Sequence, residues 1–147
     1  MMNSQMLVGG NKIEDTPQFR NAIEQTNNIM KKRLEEKLEE IEKELNIHTR
    51  PLTWPIGIGS DFKGVYNLYE KKLNLFQPDK TKISKEIVEI SDLNSTELDD
   101  IIGKKSADKL REDAELIEGV YEPFNTDLYL EGYLAPVFFG SAINNFG

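Results

Sequence analysis

Phe62-Lys-Gly-Val-Tyr-Asn-Leu-Tyr69, Glu70-Lys-Lys72 and Leu73-Asn-Leu-Phe76 read in succession as a strand, a turn and a returning strand. Apolar and polar residues alternate through the first and third segments, the period of a strand with one covered face. Gln77-Pro-Asp-Lys80 supplies a second turn, and Ile83-Ser-Lys-Glu-Ile-Val-Glu-Ile90 a third candidate strand with Ile87, Val88 and Ile90 apolar. Upstream, Pro51-Leu-Thr-Trp-Pro-Ile-Gly57 reads as a short strand entering the Gly-rich turn Gly57-Ile-Gly-Ser60. Strands joined by turns this short form an antiparallel meander.

Helical patterns flank the meander. Asp15-Thr16-Pro17 has the form of a helix start, with Thr16 as cap and Pro17 in the first helical position. Only a weak apolar stripe follows it. Residues 31–46 form the clearer helix: Leu34, Leu38, Ile41 and Leu45 share one face, Glu and Lys fill the rest, and Asn46 is the stop. The apolar face predicts docking onto a sheet, with a short self-associating coiled coil as the alternative. After Asn94 the period is helical again. Ser95 or Thr96 caps a segment carrying Leu98, Ile101 and Ile102 that ends at Gly103. Ser106 caps a longer one with Leu110, Ala114, Ile117 and Val120 on one face, ending near Gly119. Thr126–Leu130 is a short helix or turn broken by Gly132, and Tyr133–Phe139 a final strand whose Pro136, Val137, Phe138 and Phe139 read as buried. The fold class is α+β, a mixed or antiparallel sheet with packed helices.

Composition narrows the function. The 147 residues suffice for one domain with a real core, and at 30% charged and 38% hydrophobic they fit a soluble globular chain. There is no apolar run long enough for a membrane span and no signal-peptide pattern at the start. Zero cysteines remove disulfides, thiol catalysis and zinc–thiolate sites, and fit the cytosol. The net charge is −8, but Glu86–Glu131 alone holds 14 acidic and 4 basic residues, a net of −10. Acidic surface repels phosphate, which argues against RNA along the C-terminal half and against DNA; it leaves a basic partner or a solvated face.

Few residues carry chemistry. His48 is the only histidine and has no companion for metal binding or nucleophilic catalysis. Asp99-Asp100 and Glu112-Asp113 do not match a calcium loop and read as solubilising carboxylates. Gly57-Ile-Gly-Ser60 is not a phosphate loop, because no lysine follows it and Asp61 would repel phosphate. Lys71, Lys72, Lys80, Lys82 and Lys85 make a basic patch that either protects exposed strand edges or meets RNA or the ribosome. Gly140-Ser141-Ala142, after the final strand, is a tight turn of small residues whose backbone amides can approach a flat base closely.

Pro51-Leu-Thr-Trp-Pro-Ile-Gly57, Phe62-Lys-Gly-Val-Tyr-Asn-Leu-Tyr69 and Pro136-Val-Phe-Phe-Gly-Ser-Ala-Ile-Asn-Asn-Phe-Gly147 together resemble the bacterial peptide chain release factor 3 family, translational GTPases related to elongation factor G. The resemblance runs from about Glu35 to Gly147; the corresponding blocks of elongation factor G, the alternative, are looser. It implies a subdomain inserted in a GTPase domain between the Asn-Lys-x-Asp guanine motif and the Ser-Ala loop. Residues 1–30 are then a tail, tag or divergent lead-in, 31–132 the inserted subdomain, and 133–147 a GTPase strand and its guanine-contacting loop. Ser141 and Ala142 would sit against guanine, with Gly140 shaping the turn. Asn11-Lys12-Ile13-Glu14, after Met6-Leu-Val8, is similar to the Asn-Lys-x-Asp motif, but Glu14 is one methylene too long for the bidentate guanine contact.

The family binds GTP or GDP with magnesium, and its partners are the ribosome, through which it removes codon-reading release factors, and in elongation factor G the mobile ribosomal stalk protein. This chain has no P-loop and no histidine placed to orient water. The resemblance therefore implies a ribosome-facing, cytoplasmic interaction module, without catalysis, bound nucleotide or bound metal of its own, and with no membrane or DNA partner.

Overall fold

A computed structural model describes residues 5–8, 11–14, 17–76 and 86–140. The chain divides into two units, Met1–Lys37 and Leu38–Gly147. In the first, β1 (Gln5–Val8) and β2 (Asn11–Glu14) form an antiparallel pair with Val8 opposite Asn11. Helix α1 (Pro17–Leu45) begins at the proline that marks its start in the sequence. It is one continuous helix of 29 residues, longer at its N-terminal side than the 31–46 segment that the apolar spacing marks. Asn46, with φ 51°, stops it in the left-handed conformation common just past a helix end.

The second unit is α+β. Strands β3 (His48–Pro51) and β4 (Thr53–Ile56) are followed by a 3-10 turn at Gly59–Asp61, then β5 (Gly64–Asn67), β6 (Lys72–Leu75) and β7 (Glu86–Glu89). Helices α2 (Thr96–Ile102), α3 (Lys104–Val120) and α4 (Thr126–Leu130) lead to β8 (Leu134–Val137). The predicted meander is present as the antiparallel sheet β4-β5-β6-β7. Pro51-Leu-Thr-Trp-Pro-Ile-Gly57 is not one strand, however: the chain breaks at Leu52, and β3 leaves the meander to pair in parallel with β8. The prolines follow from this arrangement. A proline cannot donate to a ladder, so it belongs at a sheet edge. Pro55 lies in the edge strand β4, and Pro51 and Pro136 in the two-stranded pair.

Gly64 lets β5 and β6 meet. Its φ is +143°, and a Cβ there would stand 2.1 Å from the backbone oxygen of Asn74. Any other side chain has to push the two strands apart.

The core lies where the meander meets α2 and α3. Trp54, Ile56, Tyr66 and Leu73 from the sheet pack with Leu98, Ile102, Leu110 and Ile117 from the helices. Two polar side chains that reach this core are hydrogen-bonded, as most buried ones are. The Tyr66 hydroxyl donates to the Ile90 carbonyl at 2.7 Å. Lys63 Nζ donates to the Ile102 carbonyl at 2.7 Å, satisfying an orphan oxygen at the end of α2, and to Ser106 Oγ at 2.8 Å. Ser106 is therefore not the cap of α3, which already starts at Lys104 directly after Gly103. Gly119 lies inside α3, and Val120, placed by its spacing on the buried face, is 66% exposed at the helix end. Arg111 joins α3 to α2 and the loop before it, donating to the Leu93 and Ser95 carbonyls and to Asp99 and Asp108.

The apolar stripe of α1 does not dock as expected. Leu38 is buried, but Ile41 and Leu45 stand out in the surface. A polar contact sets the rotation. Glu42, one turn beyond Leu38, accepts from Thr49 N at 2.6 Å and Thr49 Oγ1 at 2.8 Å, so the Leu38–Glu42 face turns toward β3.

Candidate functional site

Strands β3 and β8 run side by side in the same direction, His48 opposite Leu134 and Pro51 opposite Val137, and they finish together. Leu52 N continues the ladder, donating to the Val137 carbonyl at 2.9 Å. Beyond β8 the chain stays fastened. Phe139 N donates to Thr53 Oγ1 at 2.7 Å, and the Phe139 ring meets Trp54 edge-on, with centroids 5.2 Å apart and planes at 82°. Gly140 follows, exposed, at the carboxyl ends of the two parallel strands. In open α/β sheets ligands bind in the crevice outside those ends.

This anchoring corrects the expectation of a fully buried terminal strand. Leu134 is buried, Ala135, Pro136, Val137 and Phe139 are half-buried, and Phe138 is 63% exposed. Among the described residues β8 has one strand neighbour, β3, and side chains turned from that shallow pair meet solvent. Of the three small residues, Gly140 is placed as above, while Ser141 and Ala142 lie outside the described residues. Asn11 and Lys12 are on β2 in the first unit, opposite Val8 and Leu7, in a strand that pairs with β1.

Arg50 supports β3 from behind. Its guanidinium is buried, one terminal nitrogen donating to Glu118 Oε1 at 2.7 Å and the other to the Tyr121 carbonyl at 3.2 Å. Its Nε is buried and has no hydrogen-bond partner among the described residues. The arginine thus ties β3 to the end of α3. Thr53 and Arg50 are the residues that sequence reading missed here. The Pro51–Gly57 block contained the first, but no local pattern tells that a threonine hydroxyl will hold an amide 86 residues away.

The other sequence candidates resolve into structural roles. Gly57, with φ +72°, turns the chain tightly over Asp61, whose backbone oxygen lies 2.0 Å from where a Cβ would be. That is a turn closed upon itself, not an anion cradle. His48 is exposed at the start of β3, its N–H donating to the Tyr133 carbonyl at 2.8 Å. Asp99 accepts from Arg111 at 2.9 Å, and this bond chiefly, with the second carboxylate of Asp108, raises the Arg111 pKa above the ordinary arginine value while the cost of burial opposes it. Asp113 is buried against Trp54 Nε1 and Lys109. Among the described residues no cluster of three or more His, Cys, Asp or Glu side chains is arranged to hold a metal ion. Lys71 sits in the β5–β6 turn with φ 58°, and Lys72 faces Glu70 at 3.8 Å. Lys80, Lys82 and Lys85 lie outside the described residues.

No protein-family model matches this chain. Among the described residues no helix is long and apolar enough to cross a membrane.

Proposed function

We propose that this chain is part of a cytoplasmic translation-termination GTPase of the release factor 3 family, comprising the α+β body inserted in the GTPase domain and the strand and loop that follow it. The observation that carries the reading is the parallel β3–β8 pair. The meander and its helices leave from one of these strands and return to the other, the connectivity of an insertion hung on a parallel-sheet framework. Gly140 opens the Gly140-Ser141-Ala142 loop at the carboxyl ends of that framework, where such sheets bind ligands. Guanine contact from this loop would be the chain's contribution to GTP or GDP binding. Phosphoryl transfer also needs a phosphate cradle, magnesium and an oriented water, which other segments of such a GTPase supply. The body itself serves as a ribosome-facing docking module.

The test is to titrate isotope-labelled chain with the C-terminal domain of the ribosomal stalk protein and follow the amide resonances. A localised, saturable set of shifts is expected. An unchanged spectrum at high partner concentration would remove the docking role.

A second reading is self-association through α1, favoured by Ile41 and Leu45, which are 41% and 63% exposed on one side of that helix. Sedimentation over a wide concentration range decides it; a strict monomer ends it.

A further inference from the structure

We propose that an exposed aromatic row, Tyr69–Phe124–Tyr129, is a docking surface for an arginine-bearing segment of a protein partner. Tyr69 meets Phe124 edge-on with ring centroids 6.0 Å apart, and Phe124 meets Tyr129 at 5.9 Å with planes tilted by 45°. Tyr69 is 67% exposed and Tyr129 48% exposed, with the half-buried Phe124 between them. The rings come from the β5–β6 turn, the α3–α4 connection and α4. Such a row leaves large apolar faces in water, a common mark of a binding surface.

The row is set before any partner arrives. Asn67 Oδ1 accepts from Tyr69 N and Glu70 N at 3.0 and 2.8 Å, which fixes the turn. Asn125 Oδ1 accepts from Asp127 N and Leu128 N at 2.9 and 3.1 Å, which fixes the start of α4 directly after Phe124. A surface already ordered spends less conformational entropy on binding.

Charge identifies the occupant. Around the three rings, residues 67–72 and 122–131 hold four carboxylates, Glu70, Glu122, Asp127 and Glu131, against two lysines, Lys71 and Lys72, a net of −2, and Lys72 faces Glu70 at 3.8 Å. Exposed Glu122 and Asp127 flank Phe124 along the chain. Aromatic faces carry negative potential, and carboxylates beside them add to it, so the surface attracts cations and repels phosphate. Arginine suits it better than lysine, because a planar, weakly hydrated guanidinium stacks on a ring while its N–H groups reach a carboxylate. This inference stands apart from the family reading and does not need it.

The experiment uses the whole isotope-labelled chain and two synthetic peptides, one alternating arginine and serine, the other lysine and serine. Salt is held at about 0.15 M, where the screening length is about 8 Å and diffuse attraction is weakened. Amide shifts confined to residues 67–71 and 122–130 are expected, with the arginine peptide binding about tenfold more tightly than the lysine peptide. The double variant Tyr69→Ala/Tyr129→Ala should lose about tenfold in affinity, while Tyr69→Phe/Tyr129→Phe, which keeps the ring faces, should retain it. The amide spectrum of each variant checks that it is folded. Equal affinity for the two peptides, or undiminished binding by the alanine variant, overturns the proposal. So does a single-stranded RNA oligonucleotide that shifts the same amides, or self-association that the alanine variant abolishes, since the row would then serve RNA or a second copy of the chain.

Discussion

Trp54 Nε1 donates to Asp113 Oδ2 at 3.0 Å inside the core, joining the second residue of β4 to the middle of α3. Both residues are buried, Trp54 at 2% and Asp113 at 7% exposure. Lys109, one turn back on α3, stands 3.4 Å from the other carboxylate oxygen and offsets its charge. Asp113→Ala should destabilise the chain by about 2–3 kcal/mol, because the indole N–H loses its acceptor without regaining water. Asp113→Asn keeps an acceptor and should cost about 1 kcal/mol. Urea denaturation followed by Trp54 fluorescence measures both; equal stability of the two variants would show that the bond does not matter.

Tyr66 should make the chain sensitive to alkali. Burial raises its pKa above the ordinary tyrosine value, since the anion would sit in the core. Its neutral form therefore contributes stability that is complete below the pKa of an unfolded tyrosine, about 10. That contribution declines as the pH rises from there through the higher folded pKa, because the unfolded chain releases its proton first. Tyr66→Phe leaves the Ile90 carbonyl without its donor and should cost about 1 kcal/mol at neutral pH. The gap between the two proteins should narrow at alkaline pH, and a constant gap would assign the alkaline loss elsewhere.

Gly64→Ala should cost about 3 kcal/mol, combining a disfavoured φ with a forced separation of β5 from β6. Gly119→Ala, at a helical position with open space around the added carbon, should instead be neutral or stabilising by up to about 1 kcal/mol. Midpoints of thermal unfolding compare them; a Gly64→Ala protein as stable as the parent would refute the close approach.

On α1 the burial pattern gives a sharp contrast. Leu38→Ala should cost about 2–3 kcal/mol. Leu45→Ala, at a 63% exposed position, should change stability by less than about 0.5 kcal/mol. Similar losses from both, together with concentration-dependent unfolding, would instead indicate that Leu45 is covered in an oligomer.

The purified chain should show no GTP turnover above a mock preparation, with phosphate release as the readout. It lacks the Gly-x-x-x-x-Gly-Lys-Ser/Thr loop that positions phosphates and magnesium. Turnover that co-purifies with the chain would contradict the proposed role.

Much of the α+β arrangement was legible in the residues. Period-two alternation with turn residues at Glu70–Lys72 placed β5 and β6, and Pro17, Asn46 and Gly103 marked helix boundaries, because these signals are local. The β3–β8 pair was not legible. Parallel strands have no connecting turn to announce them, and their partners here are separated by almost the whole second unit. Asp113 was read as a solubilising carboxylate for a similar reason: helical spacing puts it near the buried face, but only the fold brings Trp54 within reach. Phe138 failed in the opposite direction, since an apolar run looks buried even where the strand has just one neighbour. Of the candidate site, Ser141 and Ala142 lie outside the described residues, and the Thr53 and Trp54 contacts that fasten the approach to Gly140 were not legible.

The neighbouring positions of His48 and Leu134 have an evolutionary reading. Adjacent strands lie about 4.8 Å apart. Because the two strands are parallel, everything from Leu52 to Tyr133 leaves at the carboxyl end of β3 and returns at the amino end of β8, about 10 Å away along the strands. A segment whose ends lie this close can be lengthened, exchanged or deleted while the strands on either side keep their pairing. The meander and its helices are thus a portable cassette, free to diversify its outer surface at a pace of its own.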